Sequence, residues 1–329
     1  CRRQSRGFGR ALNGRNHALG RSPRGARILA DVLSVTAHAL SFVCAFQAAG
    51  AALFLRLFSA ELGTAQRAIR RLGVASALIA MSLLVAHYAL EAARMAGDLA
   101  GVWDVSLQKF VASSSIALAT AVRMAGLALV TVGLCGAGRV HDPVAAAADS
   151  PPRPARPGAL PIWLGALLVA ASFALTGHTA EHPQRWILAC GLLIHLIIVA
   201  FWFGALLPLI LVTRGAPHSA GALVQRFSAI ATALVPFIAL AGLLLAWLLL
   251  PDLKALREPY GQLLLVKATG FAVLMGLASL NKWQLAPDLA AGNLAAARSF
   301  RISVSIEYAL IVTVLVTTAV MTSFFSPDP

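Results

Sequence analysis

The sequence predicts an all-α polytopic membrane protein with eight transmembrane helices, and three observations carry that expectation. Hydrophobic residues make up 59% of the 329 residues and charged residues only 12%, with a mean hydropathy of +0.78. A water-soluble fold has no way to hide so much apolar surface. The apolar residues come in runs of roughly 20, the length that crosses about 30 Å of hydrocarbon as a helix. Polar connections between the runs are too short to hold a folded soluble domain. Helices are expected over barrel strands because each run must satisfy its own backbone hydrogen bonds in lipid, and each is longer than a barrel strand.

In chain order, residues 1–27 form a basic leader with eight arginines and no acid. It lacks the apolar core of a secretory signal. With Cys1 in place of a methionine, the expectation is a disordered, trimmed or mis-assigned upstream segment. The expected spans lie near 28–55, 74–96, 115–137, 160–176, 186–212, 227–250, 262–283 and 302–325. Ahead of the third, residues 103–115 (WDVSLQKFVASSS) are mildly amphipathic and suit the outer membrane surface. The Pro/Ala-rich stretch 139–160 neither continues a helix nor builds a core, so it is a linker. It divides residues 28–138, holding helices one to three, from residues 161–326, holding helices four to eight.

Charge orients this arrangement. Connections after odd-numbered helices hold twelve Lys and Arg, from Arg56 and Arg67 through Arg298 and Arg301, whereas those after even-numbered helices hold five, matched by five acids. The excess of positive residues belongs in the cytoplasm, which places the C-terminus on the outer side of the membrane. The net charge of +14 follows from this topology. No basic surface interleaved with aromatics points to nucleic acid, so the partner implied is the lipid bilayer.

Histidines carry the chemistry. His178, Glu181 and His182 spell HxxEH, which on a continuous helix would bind zinc. Gly177 and Pro183 interrupt any such helix, so the segment reads as a loop at the outer face, with His182 capping the fifth helix. His38, His87 and His195 fall in the outer half of their spans, so five histidines gather at one membrane face. Each taken singly could bond a carbonyl or serine inside the bundle. Five together suggest a shared ligand, because ionisable groups in hydrocarbon face a cavity, a ligand or one another. Imidazole suits copper, zinc and iron, and Met95 and Met321 add thioether softness nearby. Histidine pairs on neighbouring helices also hold haem, whose propionates Arg123 and Lys267 would meet. Otherwise Arg123 and Lys267 snorkel outward or pair with Glu91. Glu307, level with Asn281, Lys282 and Arg301, reads as an inner structural clamp. Cys44, Cys135 and Cys190 read as small buried apolar residues. No catalytic constellation is evident, so an enzyme is not expected.

Val224, Arg226, Phe227 and Ser228, then Gly242, then Pro259, Tyr260, Gly261, Leu264 and Lys267, then Asn281, Pro287, Ser305 and Glu307 form a spaced pattern. It resembles the copper resistance protein D domain over about 220–325. Upstream, Gly177, His178, His195, Phe201, Trp202, Phe203, Gly204 and Pro208 are similar to that family's paired GH and FWxGxLxPL elements, and Gly50, Phe54 and Arg123 fit its first and third helices. The resemblance implies eight inner-membrane helices moving copper from periplasm to cytoplasm, supplied by a small periplasmic copper-binding protein of the copper resistance C type. It implies His178 and His195 as copper ligands, while His38, His87 and His182 join them by depth. Trp202 is expected to line the cavity on the face of His195, and Gly204 to let a neighbouring helix approach.

Overall fold

The computed structural model describes residues 24–136, 158–176, 183–215, 220–250 and 252–325, and these are helical throughout, without strands. The helices are α1 (Arg24–Phe58), α2 (Ala65–Ala96), the short α3 (Val105–Ala112), α4 (Ser115–Gly136), α5 (Ala159–Ala171), α6 (Arg185–Gly215), α7 (Ala220–Leu249), α8 (Pro259–Leu280), the one-turn α9 (Ala286–Ala290) and α10 (Leu294–Phe324). A π turn, Asn281–Leu285, joins α8 to α9 without a break. Seven of the resulting helices are long and apolar enough to cross a membrane. The eighth apolar segment, Ala159–Leu175, is shorter and ends in a 3₁₀ turn at Ser172–Leu175.

Most helices outrun the expected spans. Helix α2 begins at Ala65, so Arg67, Arg70 and Arg71 lie inside it. Hydropathy marks where a helix is in hydrocarbon, while the backbone bonds that define it continue into the headgroup region. Helix α8 begins with Pro259 at its first position, where the missing N–H costs no bond.

Helix α1 is the centre of the bundle. Its stretch Ala48–Leu55 is buried without interruption, because its small residues let other helices approach closely. The tightest crossing joins α1 to α6: a Cβ on Gly50 would lie 1.9 Å from the Ala200 carbonyl oxygen, and one on Gly204 would lie 2.4 Å from the Gly50 Cα. Pro208 sits four residues after Gly204 and has no N–H to give its carbonyl. Gln47 of α1 supplies the missing donor, its Nε2 reaching the Gly204 oxygen at 3.1 Å. The close approach at Gly50 and Gly204 thus brings Gln47 within reach of the proline defect.

Packing is uneven around this centre. In their most apolar stretches, 72% of α6 is buried by protein, against 11% of α7 and 6% of α8. Helices α7 and α8 therefore present most of their apolar surface to lipid. The same reasoning corrects the cysteines. Cys44 is half-buried, but Cys135 and Cys190 point outward, because an apolar side chain on a span is as well placed in lipid as in the core. The amphipathic segment behaves similarly, with Trp103, Val105 and Phe110 exposed around α3. Asp104 caps α3 by accepting from the backbone of Ser106 and Leu107.

Candidate metal centre and buried carboxylate

Chain direction places the starts of α1, α4, α6, α8 and the ends of α2, α5, α7, α10 on one face of the bundle. This face carries His38, His87 and His195, and is the histidine end. The opposite face carries Arg56, Arg70, Arg214, Arg226 and Arg301, and is the arginine end.

At the histidine end, two polar stripes meet. Asp31, Ser34 and His38 follow one another at helical spacing on α1, and His87, Glu91 and Arg94 do so on α2. The His38 and His87 rings stack with centroids 4.2 Å apart and planes within 6° of parallel. Ser34 Oγ donates to Glu91 Oε1 at 2.9 Å and lies 3.0 Å from His87 Nδ1. With its only hydrogen given to the carboxylate, the serine oxygen accepts from His87 Nδ1–H. His87 therefore keeps the lone pair on Nε2. His38 Nδ1 meets Ser323 Oγ of α10 at 3.4 Å, and His195 Nδ1 donates to the Ile238 carbonyl of α7 at 3.2 Å. All three histidines are thus held at Nδ1, and none makes a hydrogen bond through Nε2 among the described residues.

The charges around the stacked pair are matched. Arg94 bridges Glu91 at 3.1 Å and Asp31 at 3.2 Å, donates to the Ser323 carbonyl, and lies over the Phe324 ring. This overturns the pairing expected for Arg123, since Glu91 is already taken by a residue on its own helix. Arg123 instead turns inward, 5% exposed. It donates to Ser172 Oγ at 2.9 Å and stacks 3.8 Å from the centroid of Phe173. Phe173 packs edge-on against Phe42, which in turn meets His38. A continuous aromatic path thus joins the guanidinium to the histidine pair, and the cation is stabilised by ring faces.

His195 stands apart from this pair. Its neighbours are α7 and Lys267 of α8, whose charge acts on it. Gly242 of α7 faces the ring, and a Cβ there would make only ordinary van der Waals contact, 3.8 Å from His195 Cε1. Among the described residues, no three His, Cys, Asp or Glu side chains gather closely enough to hold a metal ion. Of the two thioethers, Met321 is buried and Met95 exposed. His178 and His182, with Glu181, lie outside the described residues.

The inside of the bundle, towards the arginine end, holds a different group. Glu307 of α10 is 3% exposed, accepts from Asn281 Nδ2 at 2.5 Å, and is also reached by the Trp202 indole. Trp202, two turns after His195 on the same face of α6, is the indole that acts on Glu307. Arg301 does not join the carboxylate, donating instead to the Thr213 carbonyl at 3.2 Å.

Sequence reasoning missed Ser34, Asp31, Phe173 and Ser323, and counted Arg94 only as a loop charge. The spacing of Asp31, Ser34 and His38 against His87, Glu91 and Arg94 was the available signal, being two polar stripes on apolar helices. Ser323 and Phe173 carried none, since their roles depend on tertiary neighbours.

Known proteins supply the context. Residues 221–321 match the profile of a family described as Copper resistance protein D. A Copper resistance protein D from Pseudomonas syringae pv. tomato is 30% identical over 262 residues, covering 73% of this chain and 79% of the relative. No solved structure matches.

Proposed function

Because the chain belongs to the copper resistance protein D family, we propose that it carries copper across the bacterial inner membrane, from the periplasm towards the cytoplasm. Copper is the cargo here, and the chain acts as a carrier, not as an enzyme. The observation that carries the reading is the shared posture of His38, His87 and His195: each is held through Nδ1 at one end of the bundle and makes no hydrogen bond through Nε2 among the described residues. Partners behind the ring, such as Ser34 and Glu91 behind His87, fix the tautomer and orientation that a metal requires. Imidazole nitrogen suits copper in either common oxidation state.

The histidine end faces the periplasm in this reading, because the twelve cations on odd-numbered connections hold the other end in the cytoplasm. His178 and His182 precede α6 in the chain and are the further imidazoles proposed as ligands. A small periplasmic copper-binding protein of the copper resistance C type is the donor that fits there. Separate placement of the His38–His87 pair and His195 suggests two successive stations.

Haem is the competing ligand, and the stacked pair argues against it. Rings in contact at 4.2 Å leave no gap for a porphyrin between them, so His38 and His87 do not fit as its two axial ligands. A colourless purified protein without a Soret band is the expected result.

The test is copper flux into liposomes containing the purified protein. Wild type is expected to load copper, while His38→Ala/His87→Ala and His195→Ala each slow loading at least about tenfold. Wild-type protein that binds copper without moving it would mark a delivery factor. Unchanged flux in both variants would remove the histidines from the path.

A further inference from the structure

Among the described residues, Glu307 is the one fully buried carboxylate. It lies 13 residues from the Leu294 end of α10 and 17 from the Phe324 end. The apolar run of α10 begins near residue 302, so Glu307 lies about five residues inside it, roughly 8 Å along the helix, on the side of the arginine end. Asp31 and Glu91, by contrast, are bridged by Arg94, and Glu61 is paired with Arg226.

Its surroundings leave its charge unmatched. Asn281 and Trp202 are neutral donors, and no salt bridge reaches Glu307 among the described residues. Tyr308 beside it and Cys44 of α1 are the nearby titratable side chains, and they act on each other, not on Glu307. Two further buried oxygens, Asn281 Oδ1 and Ser303 Oγ, have no hydrogen-bond partner. Ser303 precedes Glu307 by one helical turn and is 6% exposed, while Asn281 is 8% exposed. Asn281 also opens the π turn, an interruption frequent at functional sites. A structural clamp would satisfy its own members; this one keeps unpartnered acceptors around an acid.

We propose that Glu307, with Asn281 and Ser303, is a proton-binding gate inside the bundle, towards the arginine end. With a proton on the carboxyl, the site is neutral, and its O–H has buried oxygens to donate to. With the proton released to water, the carboxylate offers the negative charge that lowers the barrier to a cation crossing the bundle. One proton leaves or returns at each change of state, and no bond other than O–H is made or broken. Trp202 connects the two regions, being seven residues from His195 on α6, a separation of roughly 10 Å along the helix. The oxygen donor set suits a proton and not soft copper, so the gate acts on copper through charge alone.

This inference rests on the transport reading for its consequence but not for its existence, and two measurements separate them. In liposomes with equal pH on both sides, Glu307→Gln is expected to bind copper like wild type and to lose flux at least about tenfold, with Glu307→Asp restoring part of it. Wild-type flux is expected to rise with pH. Full flux in Glu307→Gln would overturn the gate. Infrared spectra of purified wild type need no transport: a protonated carboxyl C=O band that titrates with pH and is missing in Glu307→Gln is expected. Its absence from wild type would overturn the proton site. Its presence in a protein that moves no copper would overturn the transport reading and leave the proton site standing.

Discussion

Around His87, the carboxylate of Glu91 is bridged by Arg94, Arg94 is bridged by Asp31, and Ser34 ties carboxylate to ring. Around Glu307 the partners are an amide and an indole, and two neighbouring oxygens have none. Both regions sit in the same bundle and both bury ionisable groups. At the histidine end, charge is neutralised by opposite charge, which leaves a fixed frame for neutral imidazoles. Around Glu307, charge is unmatched, which leaves the carboxyl free to respond to its surroundings. Buried pairs and buried lone acids thus answer differently to removal of a charge.

The largest expected effect removes both regions together. Gly50→Leu would drive a side chain into the Ala200 carbonyl and the Gly204 backbone, where rigid helices leave it no space. No monodisperse protein is expected on size-exclusion chromatography in detergent. Next, Arg94→Ala should cost about 1–3 kcal/mol, the loss of two partly exposed ion pairs. The fall would be read as a lower melting temperature in detergent. Glu307→Gln should leave the melting temperature unchanged or raise it, because it deletes a charge that nothing opposes. Equal losses in these two variants would erase the contrast between the regions.

A finer test concerns Ser34→Ala, which keeps both histidines but removes the anchor at His87 Nδ1. Copper affinity is expected to fall about tenfold, measured by competition with a chelator of known strength. The smallest effect lies outside the membrane. Hydrogen bonds from the Ser106 side chain, then the Leu107 and Ser106 backbone, hold the Asp104 carboxyl below its ordinary range. A depressed carboxyl contributes its stability above the unfolded-state value and loses it as pH falls through the folded value. The α3 cap should therefore be complete at neutral pH and fray in acid. Hydrogen exchange at Ser106 and Leu107 should quicken there, and Asp104→Ala should show the fast rate at all pH.

Those outcomes also measure what was legible in the sequence. Span positions and the all-α class followed from apolar runs, because hydrocarbon tolerates little else. Helix ends did not, since Arg67, Arg70 and Arg71 continue α2 where hydropathy has already fallen. The depth of His38, His87 and His195 was readable by counting along their spans. Their grouping was not: the contact between His38 and His87, and the distance of His195 from both, depend on which helices are neighbours. Arg123 is the clearest miss. Hydropathy alone favours an outward-reaching arginine, and only the placement of Phe173 and Ser172 turns it inward. Gln47 illustrates the same point, because its partner exists only where Pro208 strips a carbonyl of its donor.

The most direct test of the account is the copper content and affinity of purified protein, compared between wild type and His38→Ala/His87→Ala. Wild type is expected to bind copper, and the double variant, with Arg94, Glu91 and Asp31 still in place, to bind it at least about tenfold more weakly while keeping its melting temperature within a few degrees. Equal copper affinity in the two proteins would contradict the claim that the histidine end is where the metal enters.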